Sequence, residues 1–199
     1  MILIVHRRNT IEDLKATPNG YGVEVDIRSR GEELIIHHDP FVEGERFEDW
    51  IAAYRHGTLI LNVKEEGLEG RLKDAMQVHG IEDYFLLDQS FPFLVKWAEA
   101  LRGRCAVRVS EFELLETAFS LAGKANWVWV DCFTRFPLSV DDASRLKQAG
   151  FKLCLVSPEL QGRDASSEIP ALMELLGERG IEADAVCTKR PELWERTAD

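Results

Sequence analysis

The feature that most constrains this chain is a regular alternation of two hydrophobic periods. Nine short apolar or β-branched runs recur along its 199 residues: 1–6, 21–27, 33–38, 58–63, 84–88, 105–110, 127–132, 151–156 and 184–188. Between most of them lie stretches with apolar residues three and four apart, at 66–79, 91–102, 113–124, 139–149 and 166–179. The first pattern reads as strand and the second as amphipathic helix. Gly80, Gly103, Gly150 and Gly180 each follow a helical stretch and precede a strand, where a left-handed cap residue is expected. Ser139 (with Asp141 and Asp142) and Ser166 (with Glu168) read as helix starts. Ser90 starts another, with Pro92 in its first turn.

Strands alternating with helices imply parallel pairing through right-handed crossovers. Only Arg28–Glu32 separates the runs at 21–27 and 33–38, too little for a helix. The second run therefore extends or pairs with the first, and eight strand units remain. Eight such units close into a (β/α)8 TIM barrel, expected here as one compact α/β domain over 1–199; a doubly wound open sheet is the alternative. A length of 199 residues, at the low end for this barrel, predicts lean loops.

Composition narrows the function. A formal net charge of -11 argues against nucleic acid or an anionic membrane as a general surface partner. Cys105, Cys132, Cys154 and Cys187 lie singly inside apolar runs without a CxxC pair, as buried reduced thiols of a cytoplasmic protein would. The N-terminus is apolar for five residues and then basic, which is not the order of a signal peptide. No apolar run is long enough to predict a transmembrane segment.

Barrel strands are buried on both faces, so ionisable residues at their C-terminal ends are the informative ones. The first strand ends at His6 and Arg7. The second carries Glu24 and Asp26, whose i, i+2 spacing puts both on one face. Its extension ends at His38, and Asn62 and Lys64 end the next strand, again at i, i+2. Asp88, Arg108 and Asp131 follow on later strands as possible pocket residues. Two carboxylates on one buried face repel each other and are costly to desolvate. Mg2+ or Ca2+ held by Glu24, Asp26 and the Asn62 amide would relieve both problems. A pair of salt bridges, Glu24 with Lys64 and Asp26 with Arg7, would do so without a metal. His6 and His38 are placed to act as base and acid at phosphorus or a carbonyl. His37 is expected to point away from His38, and His56 and His79 to be solvated.

These residues resemble a family. His6-Arg7, Glu24-Val-Asp26 and His38-Asp39-Pro40 are similar to the HR…ExD…HD signature of the glycerophosphodiester phosphodiesterases, a branch of the phospholipase C-like barrels. Asn9-Thr10, the string LLDQSF at 86–91 and the ending DAVCTKRPELW at 184–194 resemble further segments of that family. The resemblance implies a (β/α)8 barrel that cleaves small phosphodiesters, with Mg2+ or Ca2+ on Glu24 and Asp26. It implies His6 and His38 as acid and base, Arg7 on the phosphate oxygens, and Lys64 countering charge on the phosphorane.

The chain departs from that pattern at defined places. Asn62 stands where the family has a glutamate, Arg8 where it has a glycine, and Lys189 where it has an aspartate. The segments from His6 to Asn9 and from Pro40 to Phe47 are short. An open, shallow pocket and a substrate other than the usual glycerol diesters are expected. Two other functions compete with the phosphodiesterase: a catalytically weak or inactive barrel that binds a phosphorylated ligand, and a lyase or glycosidase using Glu24 and Asp26. Carboxylates at i, i+2 sit closer than the roughly 6.5–9.5 Å an inverting glycosidase needs.

Overall fold

A computed structural model describes residues 1–195. The last four residues of the expected 1–199 span lie outside the described ones. Eight parallel strands form a ring: β1 (Ile2–Val5), β2 (Gly22–Arg30), β5 (Leu59–Val63), β6 (Tyr84–Leu87), β7 (Ala106–Val109), β8 (Trp127–Val130), β9 (Lys152–Val156) and β10 (Ala185–Thr188). The first and last pair in parallel, Ile2 with Ala185 through Val5 with Thr188. Between β6 and β7 the ring is closed by one bridge, Leu86 with Cys105, and by the Leu86 N–H donating to Arg104 O at 3.0 Å. This is a (β/α)8 barrel and not an open sheet. Its helices are α1 (Ile11–Ala16), α2 (Phe47–Ala53), α3 (Glu69–Val78), α4 (Phe91–Trp97), α5 (Leu115–Phe119), α6 (Val140–Gln148), α7 (Ala165–Arg179) and α8 (Pro191–Trp194).

Strand alternation sorts the apolar residues into two layers. Outward residues such as Val128, Val130, Leu153 and Val186 pack beneath the helices. Inward residues fill the barrel, where Trp127 and Trp129 are the largest side chains. Their neighbours across the ladder are small: Ala106 lies opposite Trp127, and Cys154 opposite Trp129. Phe85 stacks on Trp127 with ring centroids 4.7 Å apart. Close packing of this kind needs small residues beside large ones. All four cysteines are free and buried, as the sequence suggests.

β2 runs three residues past the expected end at 27. Beyond the barrel it continues as an antiparallel hairpin with β3 (Glu33–Ile36), which also pairs with the two-residue β4 (Glu45–Arg46). β3 therefore descends from above the mouth and stops at Ile36, opposite Ile27. His37 and His38 fall in the following loop, so strand alternation does not set their directions.

The glycine caps behave as expected, with Gly80, Gly103, Gly150 and Gly180 all at positive φ. Ser139 caps α6, accepting from the Asp142 N–H while Asp142 accepts from the Ser139 N–H, a capping box. The start of α7 corrects the sequence reading. Its cap is Asp164, which accepts from the Ser167 N–H at 2.9 Å, and Ser166 lies inside the first turn. Hydrogen bonds from Ser167 hold the Asp164 carboxyl below its usual range. Its contribution is therefore complete above the unfolded carboxylate's titration and is lost as pH falls through the folded value. Asp164→Ala is expected to lower the urea midpoint at neutral pH and Ser166→Ala to leave it unchanged; the Asp164→Ala deficit shrinks in acid, which equilibrium unfolding across pH will check.

Candidate active site

The C-terminal ends of the strands bring the sequence-selected residues together at the barrel mouth. Glu24 and Asp26 project inward from β2 and are completely buried. Glu24 accepts from the Arg7 backbone N–H and from the Asn62 amide, each at 2.8 Å. His6 Nε2 lies 3.7 Å from the same carboxylate. Burial, and then the neighbouring Asp26 carboxylate, push the Glu24 carboxyl above its ordinary value. Burial, and then the charges of Arg7 and Lys189, lower His6 to about 3, so its imidazole is neutral at physiological pH.

Asp26 is the more heavily partnered carboxylate. Arg7 Nε lies 3.4 Å from Oδ2, and Lys64 Nζ lies 3.3 Å from Oδ1. Asn9 clamps the residue at two points, donating from Nδ2 to Oδ2 at 2.8 Å and accepting the Asp26 N–H at 3.0 Å. The salt-bridge alternative thus holds for Asp26 with Arg7, whereas Lys64 goes to Asp26 and not to Glu24. Arg7 has φ 52, the left-handed region, which turns its N–H onto Glu24 as its guanidinium reaches Asp26. A non-glycine residue held there stores about 1–3 kcal/mol.

The chain of charge continues around the rim. Lys64 Nζ also lies 3.4 Å from Asp88 Oδ2. Arg108 pairs with Asp88 through Nη2, and its Nη1 lies 3.0 Å from Asp131 Oδ2. Gln161 donates to Asp131 Oδ1 at 2.7 Å. Arg7, Asp26, Lys64, Asp88, Arg108 and Asp131 therefore alternate in sign across the mouth.

His38 takes a different position. It is half-exposed in the loop after β3, with Nδ1 2.7 Å from Asp39 Oδ1, and shares a groove of about 620 Å³ with Arg7, Asn9 and Thr10. Arg28 holds that loop: its Nε and Nη2 donate to His38 O at 3.1 and 2.9 Å, and Nη1 donates to Lys64 O at 3.2 Å. Arg28 continues the inward i, i+2 series from Glu24 and Asp26, and that spacing was its sequence signal. His37 accepts the Asp39 N–H at 2.9 Å as a turn residue. Of the two histidines expected to be solvated, His79 is exposed, 3.8 Å from Glu48. His56 is only half-exposed, with Nε2 2.9 Å from Thr17 O and Nδ1 buried.

The donor set fits a hard cation through oxygen. Asn62 Oδ1 is buried and accepts no hydrogen bond, a costly state for a polar atom, while Asp26 Oδ1 is buried with the Lys64 ammonium 3.3 Å away. The same Asn62 amide donates to Glu24, and among the described residues it and the Arg7 N–H are the hydrogen-bond donors to that carboxylate. Among the described residues no three His, Cys, Asp or Glu side chains group as ligands, so a cation here depends on the Asn62 carbonyl.

Arg108 is the keystone of the rim network. Its removal leaves the buried Asp131 with Gln161 alone, so Arg108→Met should lower stability by about 2–3 kcal/mol. The double variant Arg108→Met/Asp131→Asn should recover part of that loss, as a double-mutant cycle of urea denaturations will show.

No protein-family model and no curated protein sequence matches the chain. Solved structures do. A glycerophosphodiester phosphodiesterase from Agrobacterium tumefaciens superposes with a TM-score of 0.67 at 13% identity, covering 97% of this chain and 98% of the other. A glycerophosphoryl diester phosphodiesterase from Parabacteroides distasonis gives 0.55 at 12% identity, covering 98% and 85%. A tryptophan synthase α-subunit variant from Pyrococcus furiosus gives 0.60 at 14%, covering 94% and 86%. At such identities the likeness is one of fold: the chain is a TIM barrel similar, over nearly its whole length, to solved glycerophosphodiester phosphodiesterases.

Proposed function

We propose that this barrel is a metal-dependent phosphodiesterase acting on a glycerophosphodiester-like or other small phosphodiester, a divergent relative of the enzymes whose fold it shares. The observation that carries this reading is one barrel mouth that gathers two buried carboxylates, Glu24 and Asp26, an Asn62 Oδ1 that is buried without a hydrogen bond, a neutral His6 and the cations Arg7 and Lys64. The likeness of its fold to solved phosphodiesterases over nearly the whole chain supports it.

In this reading Glu24, Asp26 and Asn62 hold Mg2+ or Ca2+, which when bound would stabilise negative charge on the phosphoryl oxygens. The protein's own groups supply the rest. Arg7, two-fifths exposed, offers its guanidinium fork to the phosphate. Lys64 adds charge from the opposite side of Asp26. His6 accepts the proton of the attacking water or substrate hydroxyl at Nε2, because Nδ1 is buried without a partner. A phosphorus–oxygen bond forms to that nucleophile and the bond to the leaving alcohol breaks. His38, oriented by Asp39, protonates the departing oxygen, and Arg28 sets where that ring stands.

Asp26 is already neutralised by Arg7 and Lys64, and this favours a second reading: phosphate-ester binding without turnover. Hydrolysis of bis(p-nitrophenyl) phosphate separates the two. Turnover should depend on added Mg2+ or Ca2+, stop with a chelator, and fall about 10²–10⁴-fold in His6→Ala and in His38→Ala. Unchanged rates in both variants would sink the assigned roles. Tight binding of a phosphate ester with no turnover in any metal would select the second reading.

Asn62→Asp provides a separate check. It replaces the donor to Glu24 with a third buried carboxylate, so the metal-free protein should lose stability. The same change should tighten cation binding, so metal-induced stabilisation should exceed that of the wild type. Thermal unfolding with and without Mg2+ or Ca2+ reads both signs.

A further inference from the structure

A groove of about 600 Å³ opens at the β6–β7 seam, beside the candidate site. Its inner end is Asp88 and Arg108, the rim residues joined to Asp26 through Lys64. Its outer walls are Phe91, Leu94, Phe112 and Leu114. Phe112 and Leu114 are about three-quarters exposed, and Phe91 about half. Phe112 also packs edge-on against Phe133 at 5.7 Å. The groove lies where β6 and β7 are joined by a single bridge, Leu86 with Cys105.

The charged end of this groove has no capacity for a second anion. Arg108 is shared among Asp88, Asp131 and Glu113. What the groove has to offer is apolar surface that water covers poorly, within one side chain of the phosphate-facing cations. We infer that it receives the aliphatic arm of the substrate, so that the preferred phosphodiester carries a hydrocarbon chain on one side of its phosphorus. This rests on the phosphodiesterase reading for the position of the phosphate and adds a substrate class to it.

The test is a series of alkylphosphocholines with chains of two to ten carbons, each below its micelle concentration, titrated calorimetrically into the metal-loaded protein. Affinity should rise about two- to fourfold per added methylene until the groove is full. The double variant Phe112→Ser/Leu114→Ser changes two exposed side chains outside the reacting centre. It should flatten the chain-length dependence and leave the affinity of the two-carbon member at the wild-type value. Affinity independent of chain length, or a dependence that persists in the double variant, overturns the inference. Turnover of bis(p-nitrophenyl) phosphate with a flat series rejects the groove and keeps the phosphodiesterase. A rising series that the double variant flattens, with no phosphodiester hydrolysed, keeps the groove and rejects the phosphodiesterase.

Discussion

Glu24 and Asp26 stand side by side on the inner face of β2 with no exposure to solvent. In the low dielectric of a barrel interior two such groups demand compensation from everything near them. The compensation is visible in the backbone as well as in side chains. Arg7 adopts a left-handed conformation that points its N–H at one carboxylate, and Asn9 ties the end of the first strand to the other. Lys64 answers Asp26, Asp88 answers Lys64, and Arg108 answers Asp88, so one buried charge propagates round half of the mouth. In a chain of net charge -11, Arg7, Lys64 and Arg108 are the cations that meet these acids at the mouth.

That compensation is incomplete, and the incompleteness is localised. Asn62 Oδ1 remains without a hydrogen bond, and Glu24 is driven toward its protonated form by burial. A barrel built only for stability would fill these positions with apolar residues of similar volume. Their persistence beside a neutral His6 is what gives the site its chemical character.

Much of this was legible in the sequence because it depended on period. Strand alternation placed Glu24 with Asp26 and Asn62 with Lys64, and the glycine stops marked the helix ends. Features that depend on non-local contacts were not legible. The helices α1 and α2 have six and seven residues, too few to establish a period, and Arg46 gives α2 no side-chain cap. His38 read as a strand end, but the β2–β3 hairpin carries it onto a loop held by Arg28. Asn9 stood out in the sequence only as part of the Asn9-Thr10 resemblance; its clamp on Asp26, 17 residues away, is a non-local contact that the sequence did not show.

The single bridge between β6 and β7 divides the barrel into two halves, each continuous along the chain. β1, β2, β5 and β6 pair in one half and β7 through β10 in the other, and the four register pairs between β1 and β10 are the strong join. The segment from Asp88 to Arg104 connects the halves across the weak join. Changes in its length disturb few backbone pairings and add little loop entropy. The barrel thus keeps its most adjustable stretch of chain beside its reactive mouth, where descendants of this sequence can remodel one wall of the pocket and leave the ring intact.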